Sequence, residues 1–277
     1  MVHSINFKKS LKKWLIRLGI FLVFIYFFFP LFWMVWTSVK PRKFSYHPGI
    51  WRFKPTLQGY VDVLTEHRIP SLALNSFVIS VAATIIALVI GTLAAYALVR
   101  FNTKHRRKTT LFFLIVRFIP PISLIIPMFL LGKFTGILDT RLILVLVYQI
   151  LCITFTVLMM KGFLKNIPAS FEEAAMLEGC SRLKAFFLVT IPLIKNGLFA
   201  TGIFLFLYTW KEFQYALFLT SYKARTLPTA VQYFLGTQGV EWNAAMAYGF
   251  MSIVPVLVVA VIFRDYMIQG LTFGLSK

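Results

Sequence analysis

The sequence predicts an all-α membrane protein with six transmembrane helices, and three observations carry that prediction. First, 59% of the 277 residues are hydrophobic and only 14% are charged, whereas a soluble domain carries about 25% charged residues. Second, the apolar residues gather into six long runs. A run of about 20 residues crosses a hydrocarbon core of ~30 Å as a helix. Third, Lys and Arg lie between the runs and are unevenly shared between alternate loops, the pattern that orients a polytopic chain.

Taken in order, the spans cover about residues 18–36, 72–99, 111–131, 142–160, 198–220 and 244–263. The first is centred on an aromatic-rich stretch, Phe21 to Pro30. The second contains no charge. The third carries Arg117 together with Pro120, Pro121 and Pro127, and the fifth carries Lys211 and Glu212. The clusters Lys8–Arg17 and Lys104–Lys108 sit close to helix ends, where positive charge most strongly retains a loop in the cytoplasm. Residues 1–17, the 161–197 loop and the tail 264–277 therefore face the cytoplasm, in a cytoplasmic (inner) membrane of a bacterium or archaeon. Outside, the 37–71 loop, with Trp51, Phe53, Pro55 and Tyr60, is expected to pack as a cap. The 221–243 loop, with Gly236 and Gly239, is expected to be irregular.

The same composition excludes several classes. The formal charge of +20 is spread over interhelical loops, so it serves topology and anionic headgroups, and no soluble module is left to bind nucleic acid. Cys152 and Cys180 are isolated and the four histidines are scattered, giving no disulfide framework, metal site or cofactor site. The first run is too long and aromatic for a cleaved signal peptide. A membrane enzyme would need a convergent acid–base set, so no catalytic residue is expected. A secondary transporter or channel is the alternative. Such proteins normally show inverted repeats or acidic groups within spans, and here only Glu212 qualifies.

The cytoplasmic loop before the fifth run is dense in helix signals. Ser170 followed by Glu173 reads as a capping box, and Gly179 as the residue that ends that helix. Ser181 then caps a second short helix over Leu183 to Val189, and Pro192 breaks the chain. Phe171, Ala174, Ala175 and Phe186 are expected on one surface, with Glu172, Glu173, Arg182 and Lys184 as its polar positions. Two short helices around a glycine hinge suit docking into a partner's groove.

Glu173-Ala174-Ala175, Gly179, Phe186 and Ile191-Pro192 resemble the EAA loop of binding-protein-dependent ABC importer permeases. Glu178 stands where the family usually has Asp, and Cys180 where it usually has Ala. The likeness extends through Pro30-Leu-Phe-Trp-Met34, Ser38-Val-Lys-Pro41, Asn75-Ser76, Ala94 to Leu98, Ile119-Pro-Pro121, Ile126-Pro127, Gly136 to Thr140, Thr226-Leu-Pro228 and Gly270 to Gly274. Together these are similar to the shorter six-span subunit of the maltose-type carbohydrate importers. The resemblance implies the type I importer permease fold and three partners. These are a second homologous permease subunit, a dimer of cytoplasmic ATP-binding subunits, and an extracytoplasmic solute-binding protein. It also implies that Glu172, Glu173, Ala174, Ala175, Glu178, Gly179, Phe186 and Pro192 couple the chain to the ATPase, with Gly274 to Lys277 reaching toward it. No Gly-Lys-Ser/Thr phosphate loop occurs in the chain, so ATP hydrolysis is expected on the separate subunit.

Charges within spans are costly and default to a functional reading. Arg117, Pro120, Pro121, Trp210, Lys211 and Glu212 are the candidates for a polar translocation path. The structural alternatives are a Lys211–Glu212 ion pair and an Arg117 bound to backbone carbonyls that the prolines release. Many members of the family carry Asn where this chain has Lys211. The added positive charge suggests a cargo with an anionic group (a uronate, sialate or phosphate), although the family's usual cargo is a neutral oligosaccharide. In the maltose-type pair the other permease makes the main sugar contacts, so this chain is expected at least to line the route.

Overall fold

A computed structural model describes residues 2–66, 69–101, 104–236 and 239–272. It is almost wholly helical. In chain order the elements are α1 (Val2–Ser38), α2 (Arg42–Ser45), α3 (Gln58–Glu66), α4 (Ile69–Arg100), α5 (Arg106–Phe118), α6 (Pro121–Phe134), α7 (Arg141–Lys165), α8 (Ser170–Leu177) and α9 (Arg182–Ala185). A single π turn, Phe186–Thr190, leads to α10 (Ile191–Leu193), α11 (Lys195–Trp210) and α12 (Gln214–Leu219). A 3₁₀ segment, Leu227–Phe234, precedes the two-residue strands β1 (Leu235–Gly236) and β2 (Gly239–Val240), then α13 (Trp242–Ile262) and α14 (Arg264–Thr272).

Four helices are long and apolar enough to cross a membrane by themselves: Lys12–Ser38 of α1, α4, α7 and α13. Two further helix pairs are apolar enough together but are bent. The α5–α6 pair bends by 92°, and the stretch 182–193 bends by 75° against α11; counting each pair as one span gives six. Proline explains both breaks. Pro120 and Pro121 cannot donate to the preceding turn, and Ile119 before them is extended at φ −68°, ψ 120°. Pro192 likewise lacks a donor, and the widened π turn lies directly before Ile191 and Pro192. The fifth run, separately, is not one helix to residue 220. It stops at Trp210, and α12 begins after a three-residue break.

The chain divides into two compact units, residues 1–68 with 231–253 and residues 69–230 with 254–277. In the first, the stretch 51–60 of the outer loop packs on the end of α1. Trp51 lies 5.6 Å from Trp33 and 5.9 Å from Trp36, Phe53 lies 5.0 Å from Trp36, and Tyr60 shares a 2.7 Å hydrogen bond with Ser38. Lys40 is buried there, its ammonium over the rings of Trp33 and Phe53. The 221–243 loop is more regular than expected, since it holds the 3₁₀ segment and an antiparallel β1–β2 ribbon.

In the second unit, α4 lies along α7. Ile79, Ala83 and Ala87 pack with Leu144, Tyr148 and Cys152, and Leu205, Tyr215 and Ala216 close the core. Small residues bring the two backbones together. A Cβ at Gly91 would fall 2.5 Å from the Thr156 Cβ. Close approach of this kind is how helices associate where lipid removes the hydrophobic drive.

Candidate functional site

The 161–197 loop folds as an elbow. The helix α8 begins differently from the expected capping box. Ala169 is already in the right-handed helical region at φ −63°, ψ −24°, so no residue with extended geometry stands at the cap, and no side chain caps the first turn. The carbonyl of Ala169 instead accepts from the amides of Glu172 and Glu173. The other end follows the sequence closely. Gly179 sits at φ +91°, its amide donates to Met176 O at 3.1 Å, and the Cys180 amide donates to Ala175 O at 3.0 Å. This pair of bonds is a Schellman closure. Ser181 then caps α9 by accepting from the Lys184 amide.

Glu172 is not a surface charge. It is 5% exposed and receives hydrogen bonds from Arg100 Nε (2.8 Å), Thr190 Oγ1 (2.7 Å) and Tyr96 O–H (2.9 Å). Arg100 also donates to Ile167 O at 3.1 Å. Burial alone would raise the Glu172 carboxyl above its ordinary range, but the bonds from Thr190, Arg100 and Tyr96 outweigh it and hold it below. Phe186 is buried too, 4.6 Å from the Tyr96 ring and packed with Ala95, Met160 and Ile194. Glu172 and Phe186 therefore fasten the elbow to the C-terminal end of α4. Its outer surface carries Phe171, Glu173, Ala174, Leu177, Glu178 and Gly179, and Leu177 is 90% exposed. Ala175 is half-buried, and Pro192 stands at the bend beyond.

The residues proposed for a path separate into two groups. Arg117, Pro121 and Lys211 line one cavity of about 490 Å³, together with Cys152, Phe155, Phe204 and Tyr208. Arg117 lies over the Phe155 ring, 5.1 Å from its centroid. Glu212 is committed elsewhere. Its carboxylate accepts from Tyr148 O–H (2.9 Å) and from the amides of Tyr215 and Ala216 (2.9 and 3.3 Å), capping α12. Among the described residues it forms no ion pair with Lys211. Trp210 is buried against Phe206 at 5.6 Å, and Pro120 forms the bend itself.

The structure adds a cluster to which the sequence assigned no role. Asp139, at the unusual φ of +54°, accepts from four consecutive amides, Ser221 to Ala224. Asn75 donates to Lys223 O and Arg225 O, both at 2.9 Å, and accepts from Arg141 Nε at 2.8 Å. Ser76 accepts from the Leu227 amide at 2.7 Å. These bonds tie the 220–227 segment to α4 and to the turn before α7. Burial would raise the Asp139 carboxyl, but the amides of Lys223, Ser221, Ala224 and Tyr222 lower it below the usual range. Asp139 and Asn75 stood in the motifs quoted above, yet only the fold brings them to one segment. Gly274 to Lys277 lie outside the described residues.

Against this geometry, the family model described as "Binding-protein-dependent transport system inner membrane component" matches residues 87–272. The sulfoquinovosyl glycerol transport system permease protein SmoH of Agrobacterium fabrum is 34% identical over 249 residues, covering 89% of this chain and 87% of that protein. The trehalose/maltose transport system permease protein MalG of Thermococcus litoralis is 31% identical over 274 residues, 98% of this chain and 99% of that one. Among solved structures, a bacterial ABC transporter involved in import of the acidic polysaccharide alginate superposes with a TM-score of 0.77 at 21% identity, covering 91% of this chain and 94% of that one. At that identity the likeness shows the fold, a type I importer permease. The matched span begins within α4 and runs through the elbow to α14, and on it the chain belongs to the family of binding-protein-dependent transport system inner membrane components.

Proposed function

We propose that this chain is one permease subunit of an ATP-driven importer for a sugar or oligosaccharide, with the energy supplied by a separate cytoplasmic ATPase. The observation that carries the proposal is the elbow. An exposed apolar tip at Leu177, followed by a hinge at Gly179, projects from a base that Glu172 and Arg100 bolt to a membrane helix. A partner that grips the tip and moves it would move α4, because the connecting ion pair is buried rather than free to slide. In this reading both termini and the elbow face the cytoplasm, and the cluster around Asp139 faces the binding protein outside. A second permease subunit completes the route. The carbohydrate cargo is supported by relatives that the chain matches along most of its length.

Co-purification tests the proposal. A Cβ at Gly179 meets nothing within 4 Å, so Gly179→Glu clashes with nothing and places bulk and charge at the docking tip, while Gly179→Asn controls for the strain that any side chain meets at φ +91°. The ATPase subunit is expected to co-purify with the unaltered chain and with Gly179→Asn, which tolerates positive φ. It is expected to be lost with Gly179→Glu, along with ATP-dependent uptake. Retained association and uptake in the Glu variant would overturn the docking role.

A further inference from the structure

The chamber between the α5–α6 bend and the end of α11 has an electrostatic character that the import reading does not require. Two of its wall residues, Arg117 and Lys211, are cations from separate elements, and among the described residues no carboxylate lines it. The carboxylate nearest in sequence, Glu212, is turned away into its bonds with Tyr148 and the first amides of α12. Among the described residues neither Arg117 nor Lys211 has an ion-pair partner. Two uncompensated positive charges facing one small space within the membrane region repel each other, and an anion between them would offset that cost.

The remaining wall suits a sugar ring. Phe155, Phe204 and Tyr208 present apolar faces, and the volume of about 490 Å³ falls within the roughly 300–1,000 Å³ usual for small-molecule sites. Arg117 is also held in place. Its guanidinium carbon stands over the Phe155 ring, 5.1 Å from the centroid, and a guanidinium can grip two oxygens of one anionic group. We propose that this chamber is an anion subsite on the translocation route, holding the carboxylate, sulfonate or phosphate of an acidic sugar between Arg117 and Lys211. The proposal rests on the import reading above and adds the class of cargo. The same chemistry could be supplied by the phosphate of a membrane lipid, so the test separates the two sources.

The assay uses the complete transporter, with its ATPase and partner permease, in liposomes of zwitterionic or of anionic lipid. Cys152 and Cys180 are replaced by Ala and Ser, and Leu207, on the chamber wall, by Cys. Only preparations that retain the ATPase and hydrolyse ATP are labelled, so loss of the complex speaks against the importer reading and not against the subsite. With each rate divided by that reagent's rate with a free thiol, a negatively charged sulfonatoethyl thiol reagent is expected to react about tenfold faster than its trimethylammonium counterpart, the ratio that about 1.4 kcal/mol of differential potential produces. Lys211→Gln, at an exposed position, should bring the ratio down, and adding Arg117→Gln should bring it near one. Glucuronate at millimolar concentration should slow labelling in zwitterionic liposomes, whereas glucose should not. A ratio near one in the parent, or one unchanged in the double variant, would overturn the subsite. Protection by anionic lipid but not by glucuronate would make it a lipid site and overturn the cargo class.

Discussion

At the scale of single residues, two carboxylates do structural work that their sequence positions do not announce. Glu172 is one of two adjacent glutamates, and nothing local distinguishes it from Glu173. The fold does, by turning one toward Arg100 and the other toward solvent. Replacing one partner of a buried pair leaves the other charge uncompensated, at a cost of about 3–5 kcal/mol. Arg100→Met is therefore expected to lower the unfolding temperature of the purified complex, while Glu173→Gln should leave it nearly unchanged. Asp139 gives a pH dependence. Its carboxyl is lowered in the folded chain by the Ser221–Ala224 amides acting against burial. The stabilisation is thus complete above the ordinary carboxylate range near 4 and is lost as pH falls through the lower folded value. Protease cleavage within 220–227 should accelerate only at strongly acidic pH in the parent. In Asp139→Asn it should be fast, with little pH dependence, already at neutral pH. A pH-independent parent would count against the amide clamp.

At the scale of elements, glycine acts at two positions for different reasons. At Gly91 the requirement is space: the α7 backbone and Thr156 occupy the volume where a side chain would stand. Gly91→Val should force α4 and α7 apart, costing about 1–3 kcal/mol, and should appear as a lower unfolding temperature that Thr156→Ala partly restores. At Gly179 the requirement is φ, with no crowding at all. The hinge and the Ser181 cap were legible in the sequence because both are local chemistry, settled within four residues. The capping box was not, although Ser170 and Glu173 have the right spacing. The chain is already helical at Ala169, so Ser170 is inside the helix and cannot cap it. Prolines in the third run and just before the fifth signalled breaks, but the size of the bends, 92° and 75°, is known only from the structure.

At the scale of the whole molecule, the basic clusters beside helix ends set a direction that a reporter can check. Alkaline phosphatase, active only outside the cytoplasm, is expected to be active when fused after Tyr222 and inactive when fused after Glu178. The reverse result would invert the orientation and remove the elbow from the ATPase. The same fusions test the cluster around Asp139 as an outer feature.

The sequence alone determined the membrane class, the number of apolar runs and the place of the elbow. All of these rest on composition and on short-range cap and turn chemistry. Only the tertiary structure decided which glutamate is buried, that Phe186 fastens the elbow rather than facing a partner, and that Glu212 caps α12 instead of pairing with Lys211. It also placed Arg117 and Lys211, 94 residues apart by their numbering, on one chamber wall. The reason is physical. A buried charge is costly unless it is paired, and which partner lies within reach is settled by how helices far apart in sequence pack.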